Sequence, residues 1–446
     1  MPDRPTARPL PIWVEPVDVF RVLEASSPEV FWLDAGPDTA NGWSFVGVGE
    51  PSALPADVAL GSVPGVPADG AGEDERPPFR GGWVGWHDYE GGAAAAGAPI
   101  HAGDADNRAS WMRVQRFAAF DHARRRVWVQ AEEDLAEWQS VVEQAASAAS
   151  ALPDLPDAPV AGVVAEARHE PDEYASLIER CRDLIRQGIA YQLCLTTHFS
   201  ASGVGDPVAV YARLRAATPA HHGGFVRIQG RALLSASPEQ FLLASDGVIR
   251  TRPIKGTRPR SADPIEDAAL AAELAVDPKE RAENVMIVDL MRNDLSRVCV
   301  AGSIRVEGLW VVESYPAVHQ LVSTVSGTAA PGATVGALFD AAFPAGSMTG
   351  APKLSAMTRL HSLEGGPRGI YAGCFGYIGV DGAVDLAMVI RSIVIDGEKA
   401  TVGAGGGITW GSDAAAEVAE VATKARAPLA ALGAVLPGAW GSDILN

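Results

Sequence analysis

The sequence predicts an α+β fold in which antiparallel sheets are surrounded by helices. Three observations carry that expectation. Strand-like and helix-like runs alternate irregularly, without the steady strand–helix alternation of a parallel sheet. No segment recurs at a fixed period. The composition, 47% hydrophobic and 20% charged over 446 residues, supplies a large core and is too apolar for intrinsic disorder.

The elements follow in chain order. Val30-Phe31-Trp32-Leu33 is an apolar run of strand length, and Gly81 to Trp86 is another, with glycines that let backbones pack closely. Residues 51–79, rich in Pro, Gly and Ala, read as an insertion among short strands that continue to about Val127. Glu132 to Ala151 is alanine-rich and predicts helix; Leu152 to Ala167, with three prolines, predicts a linker. Pro171 suits a first helical position. Tyr174, Leu177/Ile178, Cys181 and Leu184/Ile185 then repeat on one face until Gly188. Tyr191–Phe199 predicts a strand, and Gly224–Arg227 with Leu233–Ser237 a strand pair. A second helix runs from Asp277-Pro278 through Arg292, with Val285, Val288 and Leu295 marking its apolar face. Strands are expected at Ile304–Val312, Val318–Val325, Ala372–Ile378, Asp385–Val394 and Ala400–Ala404, and a last helix at Asp413–Leu432. The expected divisions are an N-terminal region to residue 151 that is integral to the fold, a linker at 152–170, a catalytic region at 171–432 and a tail at 433–446.

Charge narrows the function. With 36 Lys+Arg against 55 Asp+Glu, the formal charge is −19, which argues against nucleic-acid and membrane-surface partners. No apolar run approaches bilayer length, and Met1-Pro2-Asp3-Arg4-Pro5 lacks the pattern of a signal peptide. Cys181, Cys194, Cys299 and Cys374 lie far apart, without CxxC spacing, and read as reduced buried thiols in a cytoplasmic protein.

Several motifs could carry chemistry. Gly403-Ala404-Gly405-Gly406-Gly407 is a poor dinucleotide fingerprint, because Ile408 stands where the sixth-position glycine would be. It reads either as a plain turn or as a loop whose backbone N–H groups face an anion. Gly346 to Lys353 resembles a phosphate loop only loosely; Pro352 removes a donor, so ATP is not expected there. Glu280/Glu283 and Glu417/Glu420 each place two carboxylates on one helix face. Alone, such pairs are usually solvated; if the two helices face each other, they form a hard-cation site suited to Mg²⁺. Lys255, in Pro253-Ile254-Lys255-Gly256-Thr257, reads as an exposed turn lysine or as a buried amine made nucleophilic by a lowered pKa. Glu239, at a strand end, is a candidate general acid/base.

Together these pieces resemble the chorismate-utilising enzymes, most closely the aminodeoxychorismate synthase component I branch. The resemblance runs from about Pro171 to Lys424. It rests on Ser-Pro-Glu at 237–239, Pro-Ile-Lys-Gly-Thr-Arg-Pro-Arg at 253–260, Glu-Arg-Ala-Glu-Asn-Val-Met-Ile-Val-Asp-Leu-Met-Arg-Asn-Asp-Leu at 280–295, Gly-Ser-Met-Thr-Gly-Ala-Pro-Lys at 346–353 and Ala-Gly-Gly-Gly-Ile at 404–408. It implies one large chorismate-binding domain, two antiparallel sheets packed as a sandwich, with helices outside. It implies that Lys255 attacks C2 of chorismate while Glu239 assists departure of the C4 hydroxyl, and that ammonia then enters at C4. Glu283 and Glu420 would be the principal Mg²⁺ contacts, with Glu280 and Glu417 in support. Tyr371, Arg391, Ser347, Lys424 and the backbone of Gly405, Gly406 and Gly407 would bind substrate. Gln192 stands where water-using relatives carry a lysine; an amide cannot act as a base at neutral pH, so it argues against water as the nucleophile. No Gly-x-Cys-x-Gly turn is present, so the resemblance implies a separate glutamine amidotransferase as ammonia source. The family histidine expected directly before Leu-Val-Ser is displaced: the chain reads His319-Gln320-Leu321-Val322-Ser323. Family members can also bind tryptophan in the N-terminal region, and Leu23-Glu24-Ala25-Ser26-Ser27 is compatible with that. The alternatives are anthranilate synthase component I, with Lys255 a spectator, and a non-catalytic chorismate-binding homologue.

Overall fold

A computed structural model describes residues 6–37, 39–61, 76–101, 110–156, 162–203, 205–315 and 318–441. Parts of the expected insertion, linker and tail, and the first five residues, lie outside them. A proline, a capping side chain, or both mark the starts of the helices that matter here. Pro171, Pro207, Pro264 and Pro278 all open helices, where a missing N–H costs nothing. Asp206, Asp263, Asp277 and Asp413 each accept a first-turn N–H. No described helix is long and apolar enough to cross a membrane.

Among the described residues, twenty strands form one hydrogen-bonded network in which every pairing is antiparallel. It has two limbs. In the first, Trp43–Ser52, Val30–Asp34, His222–Ile228, Arg231–Ser237, Ser392–Asp396, Lys399–Ile408 and Gln192–Ser202 pair in that order. In the second, the order is Gly82–His87, Cys374–Gly379, Val384–Met388, Gln240–Ser245, Val248–Thr251 and Val318–Thr328. Trp111–Asp121 pairs with both Trp43–Ser52 and Gly82–His87, and so joins the limbs. The limbs face each other across a shared core. Phe31, Phe45, Val226 and Leu233 of the first pack with Val84, Trp86, Phe375 and Tyr377 of the second, and the Phe45 and Tyr377 rings lie 5.7 Å apart. The expected sandwich is thus present, its two sheets continuous through one strand.

Helices cover the outer faces. Pro171–Arg186 and Ala414–Leu432 bury Tyr174, Ile178, Val418 and Val421 against Leu193, Leu195, Val402 and Ala404 of the first limb. Pro278–Ser296 buries Ile287, Val288 and Met291 with Ile249 and Val325 of the second.

Three local expectations change. Lys255 lies on a strand, Ile254–Pro259, not in a turn. The run Asp385–Val394 is two strands, Val384–Met388 and Ser392–Asp396, because Arg391 adopts φ +51° and breaks the ladder. The alanine-rich helix is two, Leu135–Glu143 and Ala145–Ser150, meeting at Gln144.

Candidate active site

The glycine run forms the floor. Lys399–Ile408 pairs with Gln192–Ser202 so that Gly405, Gly406 and Gly407 stand opposite Thr196, Leu195 and Cys194. On the other edge, Ser392–Asp396 covers only Lys399–Val402, leaving the glycines' outward backbone groups without a partner strand. A Cβ on Gly407 would lie 2.1 Å from Gln192 Nε2 and 3.5 Å from Lys255 Nζ. The bare backbone is what admits both polar ends. Gln192 is 1% exposed, and neither end of its amide has a hydrogen-bond partner among the described residues.

Lys255 reaches this floor from Ile254–Pro259, a strand that pairs with Val318–Thr328 of the second limb and bulges at Gly256. Gly256 has φ +77°, and a Cβ there would press within 3.0 Å of Glu280. Lys255 Nζ lies 4.0 Å from Glu283 Oε2. Burial alone would push its pKa down, but Glu283, Cys194, Glu239 and Glu420 outweigh burial and hold it above the ordinary value. The expectation of an amine activated by burial is therefore corrected: the carboxylates around it keep the ammonium charged.

Glu239 follows the strand Arg231–Ser237 and is buried, with its Oε1 accepting from Ser347 Oγ at 3.3 Å. Burial pushes its carboxyl up to about 7, with Lys255, Ser347 and Lys424 pulling the other way. A carboxyl poised there can hold or release a proton near neutrality.

The two acidic helices do converge. Asp277 caps Pro278–Ser296 through the N–H groups of Lys279 and Glu280, which sets Glu280 and Glu283 in its first turns. On Ala414–Leu432, Glu417 Oε2 lies 2.8 Å from where a Gly406 Cβ would be. Lys424 Nζ is 2.7 Å from Glu420 Oε1 and donates to the Gly405 carbonyl at 2.7 Å. Burial raises the carboxyls of Glu280, Glu283 and Glu417, and Glu417 raises Glu283 further. Burial acts likewise on Glu420, but Lys424 outweighs it and holds that carboxyl below its usual value. Among the described residues, no three His, Cys, Asp or Glu side chains stand close enough to cage an ion. Three carboxyls raised by burial and a fourth held charged by Lys424 are oxygen donors of the kind a hard cation uses together with waters and substrate oxygens.

Tyr371 packs its ring over Gly403, and burial pushes its hydroxyl pKa far up. The Arg391 guanidinium has no ion pair among the described residues; burial lowers it, with Tyr371 and Glu420 opposing. It is a free fork for a carboxylate.

His319 faces away. Its Nε2 is 2.9 Å from Asp267 Oδ1 and its Nδ1 2.8 Å from Ser314 Oγ, a structural set of contacts. Gln320 is buried, its Oε1 without a hydrogen-bond partner among the described residues. The segment Leu23–Ser27 is held by Arg227, which bonds the Glu24 carboxylate at 2.5 Å and the Ser27 carbonyl at 2.8 Å. All four cysteines are free and buried.

Sequence reasoning missed the supports. Glu364 accepts from the Thr196 N–H and hydroxyl, both at 2.9 Å, and pairs with buried Arg368 at 2.7 Å. Arg368 also donates to the carbonyls of Cys194 and Met348, and its own N–H reaches Glu90. This network fixes both the strand beneath Gly407 and the Ser347 turn. A small, partly open cleft lies behind it, lined by Tyr89, Glu90, His101 and His361 among others, and contains none of the expected site residues. Lys353, the end of one quoted motif, bonds Asp294, near the end of another, at 2.7 Å; the pairing of motif ends was the available signal.

Comparison with known proteins agrees with this geometry. Residues 60–430 match the family described as chorismate binding enzyme. Aminodeoxychorismate synthase of Streptomyces pristinaespiralis is 39% identical over 95% of this chain, which spans 64% of that relative's length. Aminodeoxychorismate synthase component 1 of Klebsiella aerogenes is 38% identical over 78% of this chain and 76% of its own. The crystal structure of anthranilate synthase component I from Streptococcus pneumoniae superimposes with a TM-score of 0.70 at 27% identity, covering 97% of this chain and 93% of that one.

Proposed function

The chain belongs to the chorismate binding enzyme family, and from that premise we propose that it aminates chorismate at C4, yielding 4-amino-4-deoxychorismate for p-aminobenzoate and folate supply in the cytoplasm. The observation that carries the reading is one buried site holding both the Lys255 amine and the Glu239 carboxyl, each acting on the other's charge.

The chemistry follows from those two groups. Lys255 first gives up its proton to water. Its nitrogen bonds C2, the ring double bonds shift, and the C4–O bond breaks as Glu239 donates a proton to the departing hydroxyl, which leaves as water. Ammonia then bonds C4 and passes its surplus proton to the Glu239 carboxylate, the double bonds shift back, the C2–N bond breaks, and the amine of Lys255 is restored. Arg391 and Tyr371 would hold the pyruvyl carboxylate. Lys424 and the outward backbone of Gly405–Gly407 would face the ring carboxylate. Glu283 and Glu420, supported by Glu280 and Glu417, would hold Mg²⁺, which supplies positive charge at that carboxylate. Gln192, an amide and not an amine, provides no base for water. Ammonia would come from a glutamine amidotransferase.

The test is chorismate, Mg²⁺ and ammonium with the wild type and Lys255→Ala, products separated by chromatography and quenched protein weighed by mass spectrometry. The wild type should form aminodeoxychorismate and a lysine adduct; the variant should form neither. Full activity in Lys255→Ala removes the covalent step. The full-length likeness to anthranilate synthase component I supports the second reading, and a fluorescent anthranilate product would select it.

A further inference from the structure

Lys279 has no part in the scheme above, yet it stands among the proposed metal donors. Its Nζ is 4.0 Å from Glu283 Oε1, while Lys255 approaches the other oxygen of the same carboxylate at 4.0 Å. Its charge lowers all four carboxyls, Glu280, Glu283, Glu417 and Glu420.

The other cations near these groups are anchored elsewhere. Arg258, 3.8 Å from Glu280, also pairs with Glu273 and Asp277 at 3.0 Å. Lys424 holds both Glu420 and the Gly405 carbonyl. Lys255 is 17% accessible and enclosed beside Gly407 and Gln192. Lys279 is 58% accessible, and its one ion pair among the described residues is the long contact to Glu283. A long, exposed ammonium with a single loose partner can swing into water at little cost.

We infer that Lys279 is a displaceable counter-cation, neutralising the paired carboxylates while the site is empty of metal and yielding its place as a divalent cation enters. This rests on the reading of the four glutamates as a Mg²⁺ site. Its consequence is that Lys279 competes with the metal. Giving up a contact between two unit charges about 4 Å apart in water-like surroundings costs the entering metal about fivefold in affinity, and added salt reduces the effect.

The probe is Mn²⁺, followed by electron paramagnetic resonance of the free ion and by calorimetry, with no substrate present. Lys279→Met should bind Mn²⁺ about fivefold more tightly than the wild type. Lys279→Arg should match the wild type, and the gap should narrow as salt rises. If Lys279→Met binds Mn²⁺ no more tightly while Glu283→Gln and Glu420→Gln lose it, the inference is overturned and the metal reading stands. If those two glutamine variants bind as the wild type does, the metal reading fails and the inference goes with it.

Discussion

Gly407→Ala tests the floor of the site directly. The new methyl would stand 2.1 Å from Gln192 Nε2, against an ordinary contact of about 3.5 Å, so the amide must retreat by more than 1 Å. Gln192 is 1% exposed, and that retreat drives it into packed surroundings. Overpacking of this kind costs about 1–3 kcal/mol. Gly407 lies in an extended strand and not in the left-handed region, so the alanine also restricts the unfolded chain, returning about 0.4–1 kcal/mol. A net loss of about 1–2 kcal/mol is expected. In a Gln192→Ala background the obstructing amide is gone, and the same substitution should be neutral or mildly stabilising. Urea unfolding of the four proteins closes the cycle, with a coupling of about 1–3 kcal/mol expected. Additive losses would refute the placement of Gln192 against Gly407.

Other outcomes follow from the buried charges. Lys353→Met leaves Asp294 buried without its cation and should cost about 3–5 kcal/mol. The Asp294 carboxyl is raised to about 6 from 3.8, so its stabilising contribution is full below 3.8 and lost as pH rises through 6. Removing Lys353 raises it further, and the deficit should therefore be largest at pH 7–8 and shrink toward pH 5, as read from melting temperatures. Glu364→Gln takes the charge from beneath buried Arg368 and should likewise cost about 3–5 kcal/mol, measured by denaturant unfolding. Glu239 must be protonated to assist hydroxyl departure, and its carboxyl sits at about 7. Lys255 must meanwhile lose the proton that its carboxylate neighbours favour, so the rate per un-ionised ammonia should rise to about pH 7 and level off above it, and a rate that goes on rising well above pH 7 would remove Glu239 as the acid.

What the sequence disclosed was local. Proline followed by a 3.6-residue apolar period placed Pro171–Arg186 and Pro278–Ser296, since both signals are written within a few residues. The Glu-x-x-Glu spacing showed which carboxylates share a helix face, and the fold brought the two faces together. Hidden were properties set by distant neighbours. Lys255 is held charged by glutamates 28 and 165 positions away, which its own motif does not contain. The Glu90–Arg368 contact joins residues 278 apart. Arg391 breaks a run whose composition reads as one strand, because φ +51° lets its side chain leave the ladder for the site.

The pairing of Gln192–Ser202 with Lys399–Ile408 also governs how the molecule is made. The first strand leaves the ribosome some 200 residues before its partner. At roughly 5–20 residues per second, its edge waits on the order of 10–40 s with no ladder to join. Within that interval Glu239, Lys255 and Glu283 are synthesised in turn but have no floor to assemble on. Catalytic competence must then appear late and all at once, as the glycine strand docks. A nascent chain stalled before residue 399 should carry an open, aggregation-prone edge, and chaperone demand should concentrate in that window.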